Sequence, residues 1–217
     1  MSKGKIIVIE GACDGIGKST QYNLLKESLG KNIVTHHFPS YSTFQGKGVE
    51  EYLSGSFGDI ENLSSYFVNN LYAYDRAVTW YSSLSEEYND GKILLFDRYT
   101  TSSIIYQSCL IEDNDERKKF IDYIIDYEYN KLGIGKPDIV IFLTAPFDLV
   151  TNLRKERIEN EGIQNDIHEK NIDFMRKVYD NALFVANYLN FTIIDCVKDG
   201  SFKSIEEIHK EIIDKIN

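Results

Sequence analysis

The sequence predicts an α/β protein in which a mostly parallel, five-stranded sheet is covered by helices on both faces. Short runs rich in β-branched and aromatic residues alternate with longer amphipathic segments, which is the order expected of strands and crossover helices. Several of the short runs are apolar almost throughout, as is typical of strands buried on both faces. The chain has 217 residues, a length that indicates one domain.

Five segments are predicted to form the strands: Lys5–Glu10, Asn32–Phe38, Ile93–Asp97, Asp138–Thr144 and Phe191–Asp195. Helical patterns lie between and after them, at Ser19–Leu29, Leu63–Tyr88, Ser102–Leu110, Asp115–Leu132, Phe147–Ile158, Lys170–Asn190 and Ser204–Ile216. Because Leu63–Tyr88 is longer than a usual helix, we expect it to bend or to contain a break. Ligands of open parallel sheets collect at the carboxyl ends of the strands, so the loops that follow the strands are the places to look for a site.

Composition and charge exclude several classes of function. The formal net charge is −10, and a surface of that sign repels a phosphate backbone, so a general nucleic-acid binder is not expected. Three cysteines without CxxC spacing predict neither a disulfide framework nor a zinc site. The apolar run near the N-terminus is too short for a signal peptide, and no stretch approaches a membrane span. We therefore expect a cytoplasmic protein that does not associate with a membrane.

The segment after the first strand, EGACDGIGKSTQ, predicts a phosphate-binding loop. Backbone N–H groups of such a loop and the start of the following helix converge on phosphate oxygens; here they belong to Gly15, Ile16, Gly17, Lys18, Ser19 and Thr20. Lys18 would reach the β- and γ-phosphates, and the Ser19 hydroxyl would help to hold Mg²⁺. The alternative is a glycine-rich turn that caps an ordinary helix.

This loop departs from the strict GxxxxGK[ST] pattern by one residue. The first glycine of the pattern falls on Ala12, and Gly11 lies one position too early. Either Ala12 occupies the first-glycine position or the loop is one residue longer. Cys13, inside the loop, is a candidate for a reactive thiol because Lys18 and a helix N-terminus are near. A loop residue without a chemical role is the favoured interpretation.

The ends of other strands and one helix supply further candidates. Asp97 ends an apolar strand and suits the coordination sphere of Mg²⁺, and Arg98 after it is a fork-shaped donor for a phosphate. A helix-capping ion pair is the alternative for this Asp-Arg pair. Tyr72 and Arg76 lie four residues apart on one helical face and could contact a nucleobase. Phe38 and Tyr41 follow the second strand near the same crevice; like Tyr72, they could instead be packing residues.

Between the fourth and fifth strands, LRKERIENEGIQNDIHE is polar and loses the helical apolar period. It carries Arg154, Lys155 and Arg157. A polar, cationic segment opposite a phosphate loop is typical of a lid that closes over a transferring phosphoryl group. A solvated loop with an incidental run of charge is the alternative.

Together these segments resemble the thymidylate kinase family, within the P-loop nucleoside monophosphate kinases. The resemblance extends from EGACDGIGKSTQ through FPSYST, LYAYDRA and DRYTTSSIIYQ to the lid and the closing DCVKDGSFKSIEEIHKEI, which is nearly the whole chain. It implies a P-loop NTPase-type fold, one kinase domain over residues 1–217 and a lid at about 154–168. It also implies transfer of the ATP γ-phosphoryl group to dTMP with Mg²⁺, giving dTDP and ADP for dTTP synthesis, usually in a homodimer.

The resemblance also implies roles for individual residues. Lys18 and Ser19 match the ATP-phosphate and metal positions, Asp97 and Arg98 the family's Asp-Arg pair, and Asp14 the loop acid that holds the acceptor's sugar hydroxyl and orients its phosphate. Tyr72 matches the aromatic ring under thymine and Arg76 the donor to the base carbonyl. Ser102, Ser103, Tyr106 and Gln107 match the rest of the acceptor pocket. Arg154 corresponds to the residue that lies on adenine and Arg157 to the catalytic cation of the lid.

Two departures from the family, besides the extra loop residue, bear on catalysis. Many relatives have an arginine two residues beyond the Phe-Pro pair to grip the acceptor phosphate, and here Tyr41 stands there, so Arg98 would carry more of the load. Gly15 follows Asp14 where other members of the family have a loop arginine. Members that lack this arginine, as the present chain does, tend to place the catalytic cation in the lid, which agrees with Arg157.

Three other functions compete with this one. A deoxynucleoside kinase phosphorylates a neutral hydroxyl and needs a carboxylate base near it, whereas Arg76 and Arg98 suit an acceptor that is itself anionic. A nucleotide-binding protein without catalytic activity is the non-enzyme alternative, favoured by the irregular loop and Tyr41. A GTPase is disfavoured because no NKxD base-reading motif occurs.

Overall fold

A computed structural model describes residues 3–59, 62–153 and 172–216. The main sheet contains β1 (Lys5–Gly11), β2 (Ile33–His37), β3 (Ile93–Asp97), β4 (Ile139–Thr144) and β5 (Thr192–Asp195). A short antiparallel pair follows, β6 (Val197–Lys198) and β7 (Ser201–Phe202). The helices are α1 (Lys18–Ser28), α2 (Lys47–Leu53), α3 (Ser65–Thr79), α4 (Ser85–Asn89), α5 (Thr100–Ser108), α6 (Asn114–Ile125), α7 (Ile172–Tyr188) and α8 (Ile205–Ile216), with π-helical segments at Trp80–Leu84 and Asp126–Lys131 and helical residues at 147–153.

The main sheet has the strand order β2-β3-β1-β4-β5, and all four pairings are parallel. This confirms the predicted five-stranded parallel sheet; each strand lies within a residue or two of its predicted bounds. The central strand β1 is buried on both faces, and Ile6 to Ile9 are wholly inaccessible to solvent. Because all strands run the same way, the ends of β1, β2 and β3 meet at one edge, and the site forms there.

Helices cover both faces of the sheet, as predicted, because successive strand residues point to opposite sides. Ile7 and Ile9 pack in a core with residues of α1 and α8. Their neighbours Ile6 and Val8 pack on the other face with Trp80 of the first π-helical segment. The two faces therefore have separate apolar cores, and the sheet is fixed between them.

The predicted long helix at Leu63–Tyr88 is interrupted by a change of helical type. α3 passes directly into the π-helical segment Trp80–Leu84 and then into α4. Residues buried at four-residue intervals run along this segment: Arg76, Trp80 and Leu84. This spacing is longer than the repeat of an α-helix, and the wider turns of a π-helix keep residues so spaced on one face.

Candidate active site

The phosphate loop joins β1 to α1, and its first residues continue the edge of the sheet. The Ala12 N–H donates to the carbonyl of Leu143 at 2.9 Å, so the chain continues to pair with β4 beyond the end of β1. Ala12 and Cys13 are both buried, and Cys13 packs in the core with Ile16. Gly17, immediately before α1, has φ +92°, a left-handed conformation that glycine adopts without strain. The first residues of the loop are thus anchored by pairing with β4 and by apolar packing.

Lys18, the first residue of α1, is paired with the carboxylate at the end of β3. Its Nζ contacts Oδ1 of Asp97, and Nδ1 of His37 lies 3.1 Å from Oδ2 of the same carboxylate. Burial raises the pKa of Asp97, but the hydrogen bond from His37 and the charge and hydrogen bond of Lys18 outweigh that effect and lower it to about 2. Asp97 is therefore ionised at neutral pH and held from two sides.

A cavity beside this loop collects all ten residues expected to bind the acceptor. Its lining comprises Asp14, Phe38, Pro39, Tyr41, Leu53, Tyr72, Arg76, Arg98, Tyr99, Ser102, Ser103, Tyr106 and Gln107. They come from the phosphate loop, the ends of β2 and β3, and the helices α2, α3 and α5. Pro39, Leu53 and Tyr99 are the members that sequence reasoning did not single out. Residues that are distant in sequence thus form one aromatic and cationic pocket.

Arg98 is fixed in this cavity by acidic and aromatic neighbours. It has φ +65°, which is uncommon for a residue with a side chain, and its N–H donates to the carbonyl of Ile9 at 3.2 Å. Its Nη2 contacts Asp14, and its guanidinium lies 5.7 Å from the centre of the Tyr106 ring. Burial acts to lower the pKa of Arg98, but Asp14 and its other neighbours raise it well above its usual value. The cation is therefore permanently charged and anchored beside the phosphate loop.

Glu10, near the end of β1, is a buried carboxylate that sequence reasoning missed. It is 1% exposed and accepts hydrogen bonds from the hydroxyls of Thr101, at 3.0 Å, and Ser102. Its Oε1 lies 3.7 Å from Nη1 of Arg98. A glutamate inside an otherwise apolar strand was the available signal, because such a charge requires buried partners.

Asp75, the residue before Arg76, was also missed. It is buried on α3, and its Oδ2 accepts a hydrogen bond of 2.8 Å from the backbone N–H of Ser40. The bond ties α3 to the Phe38-Pro39-Ser40 segment after β2. Asp75 therefore fixes one wall of the cavity, although it does not line it.

Arg76 itself is almost completely buried and forms a two-point ion pair with Glu128 of the second π-helical segment. Its Nε and Nη2 donate to the two carboxylate oxygens of Glu128 at 2.7 and 2.6 Å. Nη2 also donates to the hydroxyl of Ser103 at 2.9 Å. The arginine thus has structural partners as well as a place in the cavity wall.

The remaining predicted site residues divide into two groups. The phosphate loop and the first turn of α1 contain Gly15, Gly17, Ser19 and Thr20. The side chain of Ile16 is buried in the core, so only its backbone N–H is available to a phosphate. Arg154, Arg157 and the predicted lid lie outside the described residues.

Among the residues that are described, no cluster of three or more His, Cys, Asp or Glu side chains could hold a metal ion. Within the same ranges, no helix is long and apolar enough to span a membrane.

Comparison with known proteins agrees with this geometry. A family model described as thymidylate kinase matches residues 9–212. A probable thymidylate kinase of Methanocaldococcus jannaschii is 35% identical over 213 residues, which cover 98% of this chain and 96% of that protein. The thymidylate kinase of Fervidobacterium nodosum is 30% identical over 212 residues, with 94% of each chain covered.

Solved structures show the same fold. The thymidylate kinase of Candida albicans superimposes with a TM-score of 0.75 and 25% identity, covering 100% of this chain and 92% of that one. The enzyme of Ehrlichia chaffeensis superimposes with a TM-score of 0.66 and 20% identity, covering all of both chains. The sheet order and the flanking helices therefore have solved counterparts.

Proposed function

The chain belongs to the thymidylate kinase family and is a phosphotransferase, and from that premise we propose that it transfers the γ-phosphoryl group of ATP to dTMP, giving dTDP and ADP in dTTP synthesis. One observation carries the proposal. The partly buried, charged guanidinium of Arg98 lines an aromatic cavity and contacts Asp14 of the phosphate loop, so a phosphate in that cavity would lie next to the donor site. A cation fixed there suits an acceptor that is anionic.

On the donor side, the loop from Asp14 to Thr20 would cradle the ATP phosphates with its backbone N–H groups, aided by the N-terminus of α1. Lys18 would exchange its contact with Asp97 for phosphate oxygens. From the resemblance to the family, Arg154 would lie on adenine and Arg157 would supply the catalytic cation of the lid.

The residues present fit Mg²⁺. Mg²⁺ is usually held by one or two oxygen ligands from the protein together with water and substrate phosphates, so a cluster of several carboxylates is not required. Asp97 offers an ionised, buried carboxylate beside the phosphate loop, and Ser19 offers a hydroxyl on the next residue after Lys18. We propose these two as the residues that hold the ion. When bound, Mg²⁺ neutralises phosphate charge and orients the transferring group.

On the acceptor side, Arg98 would bind the dTMP phosphate, and Asp14 would hold both Arg98 and the sugar hydroxyl. The aromatic rings of Phe38 and Tyr72 would pack against thymine, and Arg76 would donate a hydrogen bond to a carbonyl of the base. The remaining contacts would come from polar or aromatic residues of the same cavity: Tyr41, Ser102, Ser103, Tyr106 and Gln107.

The reaction needs alignment more than proton transfer. The acceptor phosphate of dTMP is anionic at neutral pH, so no strong general base is required. Catalysis would consist of holding the acceptor oxygen in line with the γ-phosphate and neutralising the charge on the equatorial oxygens by Lys18, Arg98 and Arg157. These roles define the residues whose replacement should reduce turnover most.

The test is ADP production from Mg-ATP with dTMP, dUMP, dGMP or thymidine offered separately. Turnover on dTMP with little on thymidine supports the proposal. Turnover on thymidine would instead favour a deoxynucleoside kinase, in which Asp14, the carboxylate that lines the cavity, would act as the base. ATP binding without turnover on any acceptor would favour the non-catalytic alternative.

A homodimer is the proposed assembly, and α3 offers a surface for it. Phe67, Tyr74 and Tyr81 are exposed at seven-residue intervals along α3 and the π-helical segment after it, forming an aromatic stripe on one side. If two copies of the chain associate through this stripe, the Tyr74→Glu variant should be monomeric. Sedimentation equilibrium measures the change. We also propose a cytoplasmic location, on the basis of family membership.

A further inference from the structure

Glu128 lies behind the acceptor cavity and does not line it. It belongs to the π-helical segment Asp126–Lys131 and is completely inaccessible to solvent. Its Oε1 accepts from Nη2 of Arg76 at 2.6 Å. Its Oε2 accepts from Nε of Arg76 at 2.7 Å and from the hydroxyl of Thr100 at 2.8 Å. Both carboxylate oxygens are therefore engaged, and three hydrogen bonds fix the orientation of the carboxylate.

These contacts leave one nitrogen of Arg76 available to a ligand. A guanidinium has five N–H donors: one on Nε and two on each terminal nitrogen. The Nε donor is taken by Glu128, and the Nη2 donors are taken by Glu128 and Ser103. Nη1 makes a single long contact, 3.5 Å to the carbonyl of Tyr99. Because Arg76 lines the cavity and its other donors are engaged, Nη1 is the group left to donate to a base bound there.

A donor fixed in this way distinguishes pyrimidines by the group they present. The guanidinium carries no acceptor and stays protonated, so it pairs with a carbonyl oxygen and is repelled by an amino group. Burial acts to lower the pKa of Arg76, but the charge of Glu128 and its hydrogen bond raise it above its usual value. The cation is therefore kept charged in a buried setting and cannot rotate to offer a different face.

We propose that Glu128 is the positioning residue that aims Nη1 of Arg76 into the cavity. It thereby sets the preference for a pyrimidine that has a carbonyl oxygen, rather than an amino group, at the ring position that Nη1 contacts. The inference rests on the proposed function, since it concerns the base of the acceptor nucleotide. It assigns specificity to a residue that touches no substrate.

The test compares Glu128→Gln with Asp126→Asn, which removes an exposed carboxylate from the same π-helical segment. A glutamine at this position would retain the size of the side chain but would turn an amide donor toward the guanidinium. For Glu128→Gln we expect the Kd of dTMP, measured calorimetrically, to rise about tenfold or more, because the fixed donor is lost. The ratio of kcat/KM for dTMP to that for dCMP should also fall, whereas the Kd of ATP should stay at the wild-type value. Asp126→Asn should match wild type in nucleotide affinity and in melting temperature.

Three further variants keep the test decisive if Glu128→Gln folds poorly. Thr100→Val removes one hydrogen bond to Glu128 without altering the cavity lining, and we expect a rise in the Kd of dTMP of about two- to fivefold. Arg76→Met and the double variant Arg76→Met, Glu128→Met should bind dTMP equally weakly, because Glu128 acts through Arg76. The double variant exchanges a buried ion pair for apolar side chains, a change that folds often tolerate.

Wild-type dTMP affinity in Glu128→Gln or in Thr100→Val would overturn the inference, as would a double variant that binds dTMP much more weakly than Arg76→Met. A parallel loss of ATP affinity in Glu128→Gln would also overturn it, since that indicates general damage. Failure of the wild-type protein to phosphorylate dTMP would overturn the proposed function and remove the premise. Normal wild-type turnover with unchanged selectivity in Glu128→Gln would overturn the inference alone.

Discussion

Nδ1 of His37 and Oδ2 of Asp97 lie 3.1 Å apart because the two residues are partners in the register of β2 and β3. Lys18 contacts the other carboxylate oxygen from the start of α1. Three segments of the chain are therefore joined through one carboxylate at the edge of the sheet where the phosphate loop lies. This arrangement couples the ionisation of Asp97 to the stability of the site.

The first prediction concerns the pH dependence of stability. The pKa of Asp97 is lowered from 3.8 to about 2 in the folded protein, so its stabilising contribution is present above the unfolded value and is lost as the pH falls toward 2. We expect the difference in the free energy of unfolding between wild type and Asp97→Asn to shrink by about 1 kcal/mol between pH 5 and pH 3. Urea unfolding at each pH measures it. A difference that stays constant over this interval would contradict the assignment.

The second prediction concerns Lys18. Replacement by alanine removes the cation that would neutralise the transferring phosphoryl group, and we expect kcat to fall about 10²- to 10³-fold, equivalent to several kcal/mol of transition-state stabilisation. Steady-state ADP production measures the change. Lys26→Ala, an exposed lysine of the same helix, is the matched control and should retain wild-type turnover. Near-normal kcat in Lys18→Ala would remove Lys18 from the catalytic group.

The third prediction separates charge from geometry at Arg98. Arg98→Ala should cost about 10²- to 10³-fold in kcat/KM for dTMP, since it removes the anchored cation of the cavity. Arg98→Lys keeps the charge but loses the fork-shaped pair of donors, so it should fall between alanine and wild type. The KM for ATP should change little in both variants. Arg117→Ala, which removes a cation of α6 outside the cavity lining, is the control. Equal activity of Arg98→Ala and Arg117→Ala would disprove the role.

The fourth prediction concerns Tyr41, which lines the cavity at the position where the resemblance to the family implies an arginine in many relatives. Its side chain is about half exposed, so a longer cationic side chain can be accommodated. We expect Tyr41→Arg to lower the KM for dTMP about two- to fivefold, the size of effect that a partly solvated ion pair produces. Tyr41→Phe keeps the ring and serves as the control. An unchanged or higher KM in Tyr41→Arg would show that this position does not face the acceptor phosphate.

The fifth prediction concerns the three cysteines. Cys13, Cys109 and Cys196 are buried, and burial is the largest effect that raises the pKa values of Cys109 and Cys196 to about 12. We expect a thiol reagent such as DTNB to label the native protein slowly at pH 8 and to label three thiols after unfolding in guanidinium chloride. Fast labelling of one thiol in the native state, lost in Cys13→Ala, would revive the interpretation of Cys13 as a reactive residue.

The strands and the phosphate loop could be recognised in the sequence because each depends on local pattern, whereas the resemblance to the family assigned Ser102, Ser103, Tyr106 and Gln107 to the acceptor. KIIVIE is apolar on both faces, and GKST follows it after a glycine-rich turn. By contrast, α2 and the β6–β7 pair were not predicted, since they are short and their patterns are weak. The break in the long helix was expected, but its π-helical form depends on which residues meet the core at four-residue intervals.

Glu10, Asp75 and Glu128 show the limit of sequence reasoning at the site. Each is a buried carboxylate, and each acts through a partner far along the chain: Thr101, Ser40 and Arg76. A single sequence records the carboxylate but not the partner that makes its burial possible. The positions of Lys18 and Asp97 were predicted separately, whereas their mutual contact and the role of His37 required the packed sheet.

The sequence by itself determined the class of fold, the order of the strands along the chain and the chemistry available at their carboxyl ends, because hydrophobic periodicity and glycine-rich turns are local properties. Only the tertiary structure decided which of these groups meet. Parallel pairing in the order β2-β3-β1-β4-β5 brings the loop after β1 between the ends of β3 and β4. Burial then requires every charge at that edge to find a partner, and the pairs formed, Lys18 with Asp97, Arg98 with Asp14 and Arg76 with Glu128, give the site its shape.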